Sequence, residues 1–126
     1  MRQGLRYIFF IVLIFTCRIS FAQGEANVWY FGRYLGLDFN SGTAVALNDG
    51  QLNTTEGVAT ICRPNGSLLF YTEGTKVWNR FHQVMPNGTG LFGSYTSTQS
   101  GVIVPFIGDT TKFYLFTVDA ESGPRG

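Results

Sequence analysis

GVATICRPNGSLLFYTEGTKVWNRFHQV, residues 57–84, is the stretch whose reading decides the fold. Residues 58–62 and 68–72 are apolar runs of strand length, separated by Pro64-Asn65-Gly66. Glu73-Gly74 then turns the chain into 76–79, and a short segment at 83–84 follows. Asn-Gly and Glu-Gly supply the positive φ that tight hairpins require. The stretch therefore reads as a β-meander, the unit from which sandwiches and propellers are built.

Working outward, short strands and turns continue in both directions. Residues 26–32 (ANVWYFG) form an aromatic strand, 36–40 a second strand with Leu37 and Phe39 alternating around Asp38, and 44–47 a third. Residues 51–56 read as a polar loop. On the other side, Met85-Pro86-Asn87-Gly88-Thr89-Gly90 reads as a breaker cluster. Residues 91–101 read as a hydroxyl-rich connection. Strands are expected at 102–104, with Pro105 closing the strand or placing it at an edge, and at 113–118. No helical period of useful length follows the first 22 residues, so the fold class is all-β with antiparallel meanders. Runs 68–71, 102–104 and 113–118 are apolar at nearly every position, the pattern of sheets covered on both faces. Stacked propeller blades produce that pattern, whereas a two-layer sandwich leaves cleaner alternation. The expected architecture is propeller-like and incomplete, because about one and a half blades are accounted for.

The first 22 residues read as a signal peptide. Arg2 and Arg6 precede the apolar run 7–17, and Ser20-Phe21-Ala22 places small residues at −3 and −1, so cleavage is expected between Ala22 and Gln23. The run is shorter than the ~20 residues of a membrane-spanning helix, and Arg18 follows it. Cys17 is a weaker candidate for lipidation, because Phe15-Thr16 fits a lipobox poorly. The domain expected to fold is therefore 23–126, exported and without a membrane span.

Losing Arg2, Arg6 and Arg18 leaves six basic residues against eight acids, a net charge of about −2 with no basic block. Nucleic acid has no electrostatic footprint in such a chain. Cys62 is the lone cysteine of the mature segment, so no internal disulfide forms, and it reads as a small buried thiol.

The segments NVWYFGRYLGLDFNSGTAVALNDGQLNTTEG, NGSLLFYTEGTKVWNRFHQVMPNGTGL and STQSGVIVP…KFYLFTVDA, together covering about residues 26–120, carry a resemblance. They are similar to the N-terminal region of large secreted proteins of Bacteroidetes, the gliding-motility-associated or PKD-domain class. The resemblance implies a propeller-like β region behind a signal peptide, followed in the class by PKD repeats and a sorting domain read by the type IX secretion system. It implies an exported cell-surface protein and supplies no catalytic residues. The chain would then be the N-terminal fragment of such a protein, with the remaining blades as neighbours.

Chemistry-bearing motifs are thin. Gly88-Thr89-Gly90-Leu91-Phe92-Gly93 matches a dinucleotide fingerprint by letter only, since a turn precedes it and a Ser/Thr loop follows. Asp38-Phe39-Asn40-Ser41-Gly42 and Asn48-Asp49-Gly50 present oxygens, but neither completes a calcium loop, and Asx-turns explain both more simply. His82 is the lone histidine, which leaves no multi-histidine zinc site. A Cys62/His82 dyad can be drawn without a reason for the two to meet. Glu56 and Glu73 are conceivable glycosidase carboxylates, more simply read as solvated turn acids. Asn53, Asn65 and Asn87 open formal glycosylation sequons that also read as turns. Trp29 and Trp78 form a speculative aromatic binding surface for polysaccharide or protein, set against ordinary core packing. No catalytic residue, cofactor or metal is expected. The favoured function is a non-catalytic surface or adhesion module; the alternative is part of a secreted carbohydrate-active or other hydrolytic propeller enzyme.

Overall fold

The structure is a computed structural model and describes residues 24–121 and 123. The expected signal peptide at 1–22, Cys17 and the cleavage pair Ala22 and Gln23 lie outside the described residues.

After a 3-10 turn at Gly24–Ala26, the described residues form nine strands: β1 (Val28–Phe31), β2 (Leu35–Asp38), β3 (Val45–Leu47), β4 (Ala59–Cys62), β5 (Leu68–Thr72), β6 (Lys76–Asn79), β7 (Val84–Thr89), β8 (Gly101–Pro105) and β9 (Phe113–Thr117). They form three antiparallel sheets in chain order, β1-β2-β3, then β4-β5-β6-β7, then β8-β9. The fold is all-β, and among the described residues the sheets close no barrel. No helix among them is long and apolar enough to cross a membrane.

Turn chemistry explains the meander. Asn65 Oδ1 accepts from the Ser67 amide at 3.1 Å and its hydroxyl at 2.8 Å, bending the chain between β4 and β5. Between β5 and β6, Gly74 has φ +92°, and a Cβ there would run into the Ser100 carbonyl. The third turn is closed by Asn79, whose Oδ1 accepts from the amides of Phe81 (2.8 Å) and Gln83 (3.1 Å).

Two expectations fail here. The 85–90 cluster is not a break but most of β7, the edge strand beyond β6. Lys76 pairs with Thr89 and Trp78 with Val84, so β7 bulges outward between those pairings. Pro86 is tolerated because it sits on an edge, and Asn87 adopts φ +58° within the bulge. The 51–56 loop is likewise not simply polar: Leu52 and Thr54 are buried within it. The Tyr34 amide donates to the Leu52 carbonyl at 2.7 Å and the Thr54 amide to the Gly32 carbonyl at 3.0 Å, stitching the loop along β1–β2.

The core lies between the first two sheets and comprises Val28, Tyr30, Leu52, Cys62, Tyr71 and Trp78. β4 is the strand that packs on β1. The Thr60 hydroxyl takes the Tyr30 amide at 3.1 Å, and the Cys62 thiol faces the Val28 carbonyl at 3.7 Å. Sheet β8–β9 stacks on the other side of β4–β5, with Phe113 edge-on to Phe70 at 5.4 Å. Its expected double coverage is not found. Val102, Val104, Tyr114 and Phe116 are exposed, whereas Ile103, Phe113 and Leu115 are half-buried. The apolar run reports a face that these residues leave open.

Candidate functional site

Four polar side chains from distant parts of the chain converge beside the core. Asn79 folds the β6–β7 turn so that His82 sits at φ +61° with its amide on the Asn79 carbonyl at 3.0 Å. That conformation turns the imidazole back over β5, where Nδ1 lies 3.0 Å from the Tyr71 hydroxyl. Nε2 lies 3.3 Å from Asp49 Oδ2, on the loop between β3 and β4. Asp49 Oδ1 accepts from the Tyr30 hydroxyl at 2.8 Å, and the Tyr71 oxygen accepts from the Gln51 amide at 3.1 Å.

In one proton arrangement that satisfies these contacts, the Gln51 N–H donates to Tyr71, the Tyr71 O–H to Nδ1, and the Nε2–H of His82 to Asp49. Burial pushes the Tyr71 phenol up to about 12, partly offset by the Gln51 amide. Burial, then the hydrogen bond to Asp49, raises Tyr30 as well. Both are donors locked in the neutral form rather than activated nucleophiles. Tyr71 stacks on Tyr30 at 4.6 Å and on Trp78 at 5.6 Å, so the cluster is the polar cap of the aromatic core. Chemically it joins a loop, a turn and two sheets.

The other candidates have been put to structural use. Burial raises the Cys62 thiol, and no interaction joins Cys62 to His82 among the described residues. Glu73 is not a solvated turn acid. It is 5 % exposed, taking the Thr75 hydroxyl and, at 3.3 Å, the Lys76 amide. Glu56 is exposed and takes the Thr98 hydroxyl at 3.4 Å, in a polar cleft with Gln99 and Glu121. Asp38 closes an Asx-turn on Asn40 at 2.7 Å, as expected. Gly88 lies in β7, and the residues after it up to Gly93 open no helix. Among the described residues no three His, Cys, Asp or Glu side chains are grouped to hold a metal.

The two tryptophans do not share a surface. Trp29 is 50 % exposed, tilted on Phe39 at 5.1 Å with its indole N–H on the Ala26 carbonyl at 2.7 Å. Trp78 is 8 % exposed and belongs to the core. Its place in a meander whose neighbouring strands are apolar was the signal for that. The Tyr30–Asp49–His82–Tyr71 grouping had no such signal, since its members are brought together by sheet packing alone.

Compared with protein-family models, with curated proteins and with solved structures, the chain matches none.

Proposed function

We propose that the chain is an exported, non-catalytic interaction module, the N-terminal part of a larger propeller-like surface protein of the gliding-motility-associated kind. The observation that carries this reading is the use made of the chemistry-bearing side chains. His82, Asp49, Tyr71 and Tyr30 bond one another, Cys62 and Glu73 are buried in packing and turn roles, and Trp78 is core. What the molecule offers outward is apolar and aromatic: Trp29 and Leu35 on the first sheet, Val102, Tyr114 and Phe116 on the last. Exposed apolar and aromatic side chains on a sheet face favour protein or polysaccharide contact over bond-making chemistry.

The test is made in the native host. Protease treatment of intact cells, followed by N-terminal sequencing of the released protein, is expected to give a start at Gln23 and loss of the protein from the surface. A protein that keeps Met1 and stays protected inside the cell overturns the reading. The hydrolase alternative has its foothold at Glu56 in the polar cleft. Glycosidase turnover by the full-length protein that disappears in Glu56→Gln would replace the proposal with that alternative.

A further inference from the structure

Sheet β8–β9 repeats half of the sheet before it. GVATICRPNGSLLFYT (57–72) and GVIVPFIGDTTKFYLFT (101–117) each open on Gly-Val, cross a turn and return on an aromatic strand ending in threonine. In the earlier unit β6 continues the sheet by pairing along β5, with Tyr71 opposite Trp78 and Thr72 opposite Val77. Among the described residues no strand stands in that place beside β9.

The bonding pattern says which groups face the open side. The Val118 amide donates to the Ser100 carbonyl at 3.3 Å and the Phe106 amide to the Lys112 carbonyl at 2.9 Å. With Gly101 opposite Thr117 and Pro105 opposite Phe113, these bonds make both pairs the non-hydrogen-bonded kind. Tyr114 and Phe116 therefore exchange bonds with β8, and the N–H and C=O groups of Phe113, Leu115 and Thr117 point away from it. At the Phe113 end of that edge lies an apolar groove of about 430 Å3, lined by Phe70, Val77, Met85, Leu91 and Phe113. Phe113 also lines a second cleft together with Ile61, Pro105 and Phe106.

We propose that the edge of β9 is a strand-acceptor site: an extended segment of the same polypeptide, with apolar residues at alternate positions, pairs along Phe113, Leu115 and Thr117 and fills the groove over β6 and β7. This rests on the reading that the chain is part of a larger propeller-like protein. The repeated hairpin argues for an occupant built like β6, and the groove selects apolar side chains on its inward face. A second copy of the chain does not fit. Antiparallel pairing of two β9 edges is generated by a twofold perpendicular to the sheet, which brings the copy's own β4–β7 sheet onto the side where β6 and β7 already lie.

The test grafts a second copy of residues 74–91 behind Gly126 through a flexible linker and follows amide hydrogen exchange. In the parent chain Leu115 and Thr117 exchange faster than Tyr114 and Phe116. In the graft they slow by about tenfold or more, and Val77→Asp in the grafted copy abolishes the gain. Unchanged exchange in the graft overturns the proposal, as does protection in the parent chain that grows with its concentration, the mark of a second copy. In the native surface protein, cross-links from Lys112 are expected to a segment of the same polypeptide, and links only to a foreign chain overturn it. Failure here, with the surface-protease result intact, removes the acceptor site and leaves the proposed function standing.

Discussion

The β4–β5 and β8–β9 hairpins have the same layout and opposite surroundings. Tyr71 and Phe116 occupy corresponding positions, each one residue before the closing threonine. Tyr71 is wholly buried between Tyr30 and Trp78, whereas Phe116 is 57 % exposed. The same local sequence therefore specifies a strand in both places without specifying what covers it. Coverage is decided by what packs alongside: the first sheet in one case, nothing among the described residues in the other.

The largest effect should come from the covered side. Tyr71→Ala removes a fully buried ring and leaves Gln51 N–H and His82 without their partner, at a cost of about 3–5 kcal/mol. That is a large share of the stability of a domain this small. Urea denaturation is expected to show loss of the folded baseline, and a variant that melts near the parent would break the comparison at its root. Gly74→Ala comes next. A side chain at φ +92° that also meets the Ser100 carbonyl should cost about 2 kcal/mol or more, and thermal melting reads it directly.

Alkali sharpens the contrast. Tyr71 titrates near 12 in the folded chain, against about 10 when unfolded. A group with a raised folded pKa contributes stability that is fully present below pH ~10 and lost as pH rises toward 12. Tyrosinate absorbance and loss of tertiary signal should therefore rise together in that interval. Tyr71→Phe should weaken the alkaline step, whereas Phe116→Tyr, which puts a phenol at the matching open position, should add none. A stronger alkaline step in Phe116→Tyr would mean that β9 is covered after all. Phe116→Ser is the corresponding mild change: stability within about 0.5 kcal/mol of the parent, with improved solubility measured by light scattering.

What the chain disclosed by itself divides along the same line. Strands β5 and β6 are read to the residue, because Asn-Gly and Glu-Gly bracket apolar runs and turn chemistry is local. β7 is misread because Pro86, Asn87 and Gly88 carry breaker signals that an edge strand absorbs as a bulge. Continuous apolarity in β9 suggested two covered faces, yet composition reports a tendency to be buried, not the presence of a neighbour. The His82 cluster is invisible for a related reason. Asp49, Tyr71 and His82 meet only when a loop, a strand and a turn converge, and nothing in their spacing encodes that meeting.

The smallest expected effect lies in the turns that close the two hairpins. Asp109 Oδ1 accepts from the Thr111 amide at 2.9 Å and its hydroxyl at 2.6 Å, the same pair of bonds that Asn65 makes with Ser67. One cap is neutral and the other charged. The Thr111 hydroxyl, then the Lys112 ammonium 2.9 Å away, hold the Asp109 carboxyl below its ordinary range. A depressed carboxyl contributes above its unfolded pKa and loses that contribution as pH falls through the folded value. The Thr111 amide resonance should therefore titrate in acid while the Ser67 amide does not follow it. Asp109→Asn should abolish the Thr111 titration and leave the melting temperature where it was, since one exposed cap replaces another of the same geometry. If the substitution instead loosens β8–β9 as a whole, the open hairpin leans on its turn in a way the covered hairpin does not. The difference between the two would then reach beyond their faces into their closures.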